Sequence, residues 1–317
     1  MMRKLLLSFV MLAAVAAVHA ADFKYQWHHT IYGKTRSGNT PISVIKTTDG
    51  NYVAFNAFGS NTLTGTKLYF DGEPLKDAEG KEIEGCPYKG TNANTGNDNL
   101  LLQKMNPETG KVIWTVYSDK GYLYNNKSVY PTADGGLVFV GDVRNLADKT
   151  ETTLLRMVGA DGQKTEVNYT PAGNGRTSVE GVIAKIDKDG KVAWAKLIAT
   201  TTHPTIKGKT YGEYDIYYKG LAVDSKGNIY VCGNYMSAVT FVKRDGTQET
   251  HQAKNTAAWD GTIQTSAGDP FIAKLDKDGY LIQFMTEDES NVKFATFDKM
   301  VIKNDVIYVS GRLQGNG

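Results

Sequence analysis

The chain has 317 residues, with 36 Lys+Arg against 34 Asp+Glu and two cysteines. A near-neutral balance with no basic block argues against nucleic acid as a partner, because phosphate binding needs clustered Lys and Arg. Two cysteines in a chain this long do not form a disulfide framework.

Residues 1–20 read as an export signal. Arg3 and Lys4 precede an apolar run from Leu5 to Val18, and Val18-His19-Ala20 gives the small-x-small cleavage pattern. The run is shorter than the roughly 20 residues a membrane-spanning helix needs, and no later segment suggests membrane insertion. The leader carries two cations and no acids, so the remainder has equal numbers of each sign. The mature chain is expected to be secreted, periplasmic or at the cell surface.

From residue 40 onward a motif recurs: an apolar run, a tight turn, then a second apolar run. It is seen as ISVIKTTDGNYVAF (42–55), SVYPTADGGLVFVG (128–141), GLAVDSKGNIYVCG (220–233) and KMVIKNDVIYVSG (299–311). A second motif follows the first three copies: LLLQKMNPETGKVIW (100–114), GVIAKIDKDGKVAW (181–194) and PFIAKLDKDGYLIQ (270–283). Both have β-hairpin chemistry, with turn glycines between runs rich in Val, Ile, Leu and Tyr. Within the last copy Phe271, Ala273 and Leu275 share one face, and Ile272 and Lys274 the other.

Two hairpins make one four-stranded unit, strands a to d. Between b and c each unit carries an insertion with its own turn, at Asp71-Gly72, Asp161-Gly162 and Asp245-Gly246. Gly50, Gly135 and Gly227 recur at spacings of 85 and 92 residues, about one inserted hairpin longer than a plain blade of roughly 40–50 residues. The predicted units cover 40–117, 127–197, 218–285 and a partial 297–317. Residues 23–33 read as an isolated d strand, with Trp27 in the column of Trp114 and Trp194, and suggest ring closure. The expectation is an all-β propeller of four-stranded blades occupying 21–317, its ring incomplete because the fourth unit lacks strands c and d before Gly317; the sequence is then expected to be a truncated piece of a longer protein, the alternative being a small four-bladed ring missing one strand.

GLAVDSKGNIYVCGNY followed by DPFIAKLDKDGYLIQ resembles the bacterial β-propeller repeat known as SBBP. The copy at 181–194 matches the latter half, and those at 42–55 and 128–141 match more loosely. The resemblance implies a propeller fold and an exported or surface location; it implies no activity.

Catalytic and metal signatures are missing from the sequence. G-x-S-x-G, a phosphate-binding loop and H-E-x-x-H do not occur. Asp187-x-Asp189-Gly190 and Asp276-x-Asp278-Gly279 read as hairpin turns, since a calcium loop needs further oxygen ligands and a later bidentate acid. Adjacent His28 and His29 point to opposite faces of a strand and make a poor metal pair. Cys232 falls in a core column with Phe55 and Val140. The recurring Lys104, Lys185 and Lys274 read as structural, their stems covering apolar surface. No catalytic residue, metal or cofactor is expected.

Loop aromatics are the candidate ligand-binding residues: Tyr122 and Tyr124 between units one and two, Tyr211 and Tyr214 between units two and three, and Trp259 in the third insertion. Because b–c insertions and d–a loops emerge at one end of a propeller, these rings could share a surface suited to a protein or glycan. The function expected is therefore a non-catalytic binding or scaffold protein. An extracellular polymer-degrading lyase or hydrolase and an architectural spacer module are the alternatives, since fold alone does not choose among them.

Overall fold

The computed structural model describes residues 27–33, 37–60, 67–83, 99–144, 152–169, 179–202, 205–206, 209–210, 216–236, 238–254, 268–287 and 292–315. The signal segment, Cys86, His203, Tyr211, Tyr214 and Trp259 lie outside the described residues. There is no helix among those described.

The chain opens with β1 (Ile31–Gly33). Unit one contributes β2 (Ser37–Lys46) and β3 (Tyr52–Ser60) as strands a and b. An insertion follows, β4 (Leu68–Phe70) and β5 (Glu73–Pro74), and then β6 (Asn99–Met105) and β7 (Val112–Lys120) as c and d. Unit two repeats the plan with β8 (Tyr122–Pro131), β9 (Leu137–Arg144), inserted β10 (Thr153–Val158) and β11 (Lys164–Asn168), then β12 (Val179–Ile186) and β13 (Val192–Thr202). A small pair, β14 (Thr205–Ile206) and β15 (Lys209–Thr210), precedes unit three. That unit has β16 (Ile216–Val223), β17 (Ile229–Tyr235), inserted β18 (Ala238–Val242) and β19 (Gln248–Gln252), then β20 (Asp269–Leu275) and β21 (Leu281–Thr286). Strands β22 (Val292–Lys303) and β23 (Val306–Gly315) are a and b of a fourth unit.

Within each complete unit the order is a-b-c-d, every neighbour antiparallel. Gly50, Gly135 and Gly227 take φ of 89°, 83° and 82° at the a–b turns, a conformation that costs a residue with Cβ but not glycine. The alternation read from 270–275 holds: Phe271, Ala273 and Leu275 are fully buried toward unit two, while Ile272 faces unit four.

The inserted hairpins do not extend their own blades. β10 pairs with β7, with Met157 opposite Ser118, so the insertion of unit two sits on the outer strand of unit one. Likewise β18 pairs with β13, Thr240 opposite Thr200. Two six-stranded sheets result, in the orders β11-β10-β7-β6-β3-β2 and β19-β18-β13-β12-β9-β8. In the first unit β4 pairs with β1, Tyr69 opposite Tyr32. Strand β1 thus stands to unit one as β7 stands to unit two, the place of a d strand.

Three tryptophans register neighbouring units. Trp27 donates Nε1–H to Pro107 O at 2.9 Å, and Trp114 donates to Lys188 O at 3.0 Å. A Cβ on Gly110 would lie 2.6 Å from the ring of Trp27, one on Gly190 2.8 Å from Trp114, and one on Gly279 3.1 Å from Trp194. Each d-strand indole therefore rests on the c–d turn of the following unit, and its flat face needs a residue without a side chain there.

The core lies between the sheets. Phe55 of unit one meets Phe139 of unit two edge to face, centroids 5.8 Å apart, in a cluster that includes Leu102, Val116, Val182 and Ile186. A second cluster joins Val138 and Ile183 to Tyr218, Val231 and Phe271. Full burial of one such side chain contributes about 1.5–3 kcal/mol, so stacking of one sheet on the next holds the units together.

Candidate functional site

The end of the sheets where b–c insertions and d–a connections emerge is the place that the sequence singles out. Only Gly121 separates β7 from β8. Its φ is 85°, and a Cβ would come 2.2 Å from Leu154 O on the inserted hairpin. Glycine is required by that close approach, and the short link corrects one expectation: Tyr122 and Tyr124 lie in a strand, not a connecting loop. Tyr122 is opposite Arg144, and Tyr124 falls in an irregular stretch between Leu123 and Lys127.

Tyr218 is fully buried. Its ring lies edge-on to Phe271 at 5.6 Å and covers Gly181, where a Cβ would fall 2.3 Å from it. Its backbone N–H donates to Asp142 Oδ1 at 3.0 Å. Burial raises the phenol's pKa further above its ordinary value, with the Asp142 and Glu180 charges adding to the effect. This tyrosine fastens unit three to unit two.

The a strands carry an irregularity at this same end. Pairing shifts between Pro41 and Ser43, Leu123 and Lys127, Tyr218 and Gly220, and Phe297 and Lys299. A bulge turns one side chain out of the alternation. In units three and four the residues at the shift are Lys219 and Asp298, and the two meet: Lys219 Nζ lies 3.0 Å from Asp298 Oδ1. Arg312 on β23 approaches the same carboxylate, Nε at 2.9 Å from Oδ2 and Nη2 at 3.5 Å from Oδ1. Thr296 Oγ1 donates to Asp298 Oδ1 at 3.3 Å. Partial burial alone would raise the Asp298 pKa, but Arg312 and Lys219 outweigh it and hold the group ionised below its usual range.

Two cations thus meet at one carboxylate, and Arg312 is 66% exposed. Sequence reading missed Lys219, Asp298 and Arg312. Their columns differ from unit to unit, and a bulge leaves no periodic signal.

Other polar groups serve the frame. Lys104, 1% exposed, donates Nζ to Asp49 Oδ2 at 2.5 Å, Gly135 O at 3.1 Å and Lys188 O at 3.3 Å, tying three turns of units one and two. Lys185 pairs with Asp134 at 2.6 Å. In unit three the a–b turn has Lys226 where those aspartates stand, and Lys274 Nζ lies instead 5.4 Å from the Tyr230 ring. The lysine column is structural, as expected, but its first two members work through ammonium–carboxylate pairs rather than through their stems.

Asp187 and Asp276 each fold a carboxylate back onto their own turn, accepting from Asp189 N and Lys191 N, and from Asp278 N and Tyr280 N. Among the described residues no group of three His, Cys, Asp or Glu could hold a metal. His29 bridges Asp71 Oδ2 at 2.5 Å and Gly110 O at 2.6 Å, and His251 stacks on Phe284 with centroids 3.9 Å apart. Cys232 is buried, and burial pushes its thiol up to about 12. A thiol so held is a core residue, not a nucleophile.

The family model of the SBBP β-propeller repeat matches residues 194–234. That window runs from Trp194 through strands a and b of unit three and stops before β20. No curated protein matches the chain.

Proposed function

We propose that this chain, which carries the SBBP β-propeller repeat at 194–234, is an exported, non-catalytic binding or scaffold protein. Its ligand-facing surface is the b–c and d–a end of the units, and its partner is a protein or a glycan. The observation that supports this most is the crossing of inserted hairpins from one unit to the next. Each insertion is anchored to a foreign sheet, as at Met157 opposite Ser118 and Thr240 opposite Thr200. Loops on a stable scaffold commonly carry recognition, and anchoring one strand of each hairpin to the neighbouring sheet lowers the entropy lost when a partner orders the loops. The leader at 1–20 supports export to the periplasm, the surface or the medium.

Purified mature chain beginning at Ala21 is the test material, with a panel of immobilised glycans and purified envelope proteins as probes. The reading expects saturable binding to one of them, weakened at least tenfold when Tyr211, Tyr214 and Trp259 are changed together to Ala. Binding unchanged in that variant overturns the assignment of the face. Depolymerisation of a glycan by the purified chain overturns the non-catalytic part.

A further inference from the structure

Trp27, Trp114 and Trp194 each rest on the c–d turn of the unit that follows, and the residue two places after the tryptophan differs from junction to junction. Between units one and two it is Val116, fully buried in the core. There the turn carbonyl Gly190 O accepts at 2.9 Å from the backbone N–H of Ala160 on the inserted hairpin. Between units two and three it is Lys196, whose Nζ lies 3.6 Å from the centroid of the Tyr280 ring. Arg244 of the inserted hairpin bonds Asp276 and Asp278 at that junction. Neither set holds a group that ordinarily titrates between about pH 5 and pH 8.

Where β1 meets unit one, the residue is His29. Its Nε2 lies 2.6 Å from Gly110 O, the carbonyl equivalent to Gly190 O, and its Nδ1 lies 2.5 Å from Asp71 Oδ2 on the turn of the β4–β5 hairpin. A carbonyl oxygen only accepts. Burial alone would raise the Asp71 pKa, but the Thr30 N–H and His29 outweigh it and hold the carboxylate ionised below its ordinary range. That oxygen therefore only accepts as well. A neutral imidazole carries one N–H and cannot satisfy both contacts; the full set belongs to the imidazolium. Trp27 and Phe70 flank the ring, with centroids 5.2 and 4.6 Å away, and tie its position to both strands. The other charged residues on the segments that meet it are Glu73 on β5 and Glu108 and Lys111 on the c–d turn. Neither they nor the adjacent His28 bonds to the ring among the described residues.

We propose that His29 is a pH-operated clasp. Protonated, it holds β1 and the β4–β5 hairpin on the c–d turn of unit one. On losing its proton it gives up one of its two contacts, and these strands loosen while the equivalent hairpins of units two and three stay docked. The inference concerns the docking of strands alone and stands whether or not the loop end of the units binds a ligand.

The test is hydrogen exchange of the mature chain at about pH 5.5 and pH 8, with protection expressed relative to the intrinsic rate at each pH. Protection at 30–33 and 68–71 is expected to be about tenfold lower at the higher pH, with 153–158 and 238–242 unchanged. His29→Gln removes the difference. Asp71→Asn also removes it and leaves protection high at the higher pH. An amide there keeps its oxygen for the Thr30 N–H and donates its NH2 to the Nδ1 lone pair of a neutral ring. Equal protection at the two pH values in the native chain overturns the proposal, as does a difference that survives His29→Gln. A fall shared by 153–158 and 238–242, or full pH dependence in Asp71→Asn, overturns it too.

Discussion

Lys104 shows how much a single buried charge decides. Its ammonium is 1% exposed, and Asp49 is its anionic partner beside two carbonyls. Removing one member of a buried pair leaves an uncompensated charge and costs about 3–5 kcal/mol, whereas replacing both with apolar groups is often neutral. Asp49→Ala is therefore expected to lower stability in urea unfolding by about 3 kcal/mol, and adding Lys104→Met to recover most of it. A loss under about 1 kcal/mol in the single variant would contradict the pairing. The Lys185–Asp134 pair is more exposed and titrates visibly. Burial alone would raise Asp134, but the bonds from Lys185, Thr132 and Gly136 bring it from 3.8 down to about 2. A carboxylate depressed on folding stabilises above its unfolded pKa and loses that contribution as pH falls through the folded value. The stability gap between the native chain and Asp134→Asn should thus be full at pH 5 and close between about pH 4 and pH 2, as read by urea midpoints at each pH; a gap independent of pH would refute it. These lysines were visible in sequence as a column, and so was Asp at the same turn position in units one and two. Their contact was not, because a turn and a strand 55 residues apart carry no local mark of meeting.

At the scale of elements, glycine placement separates local from inter-unit constraint. Gly190 has φ 83° and faces the Trp114 ring at 2.8 Å from a would-be Cβ; Gly246 has the same φ with nothing within 4 Å. Gly246→Ala should cost only the backbone term, about 1 kcal/mol. Gly190→Ala adds displacement of an indole and should cost at least twice as much by denaturant midpoint. Equal losses would mean that Trp114 does not rest on this turn. Hairpins themselves were legible, since Asp-Gly turns between alternating apolar runs fix both ends of each strand. Bulges in the a strands were not, and with them Lys219 and Asp298 escaped notice. Tyr122 and Tyr124 were read as loop residues because they fall between units one and two; strand a of unit two starts earlier than its repeat motif, and β8 pairs with β9 from Tyr122 onward.

The whole molecule is a series of sheets stitched across their boundaries. A unit that lends a hairpin to the preceding sheet makes two units cooperative, so unfolding one exposes an edge of the other. The repeat itself was legible in the sequence, because self-similar turns report a stack of like units. Where the insertions dock was not, since their β-pattern is the same whichever edge receives them. A cysteine pair reads that docking directly. With Cys86 changed to Ser, Thr200→Cys and Thr240→Cys stand opposite one another on β13 and β18, within reach of a disulfide if the insertion of unit three lies on unit two. Mild oxidation of the folded protein is expected to link them in most molecules, seen as a reductant-sensitive shift on a denaturing gel. Two thiols that stay open to maleimide while the protein remains folded would contradict the exchange of hairpins on which the account stands.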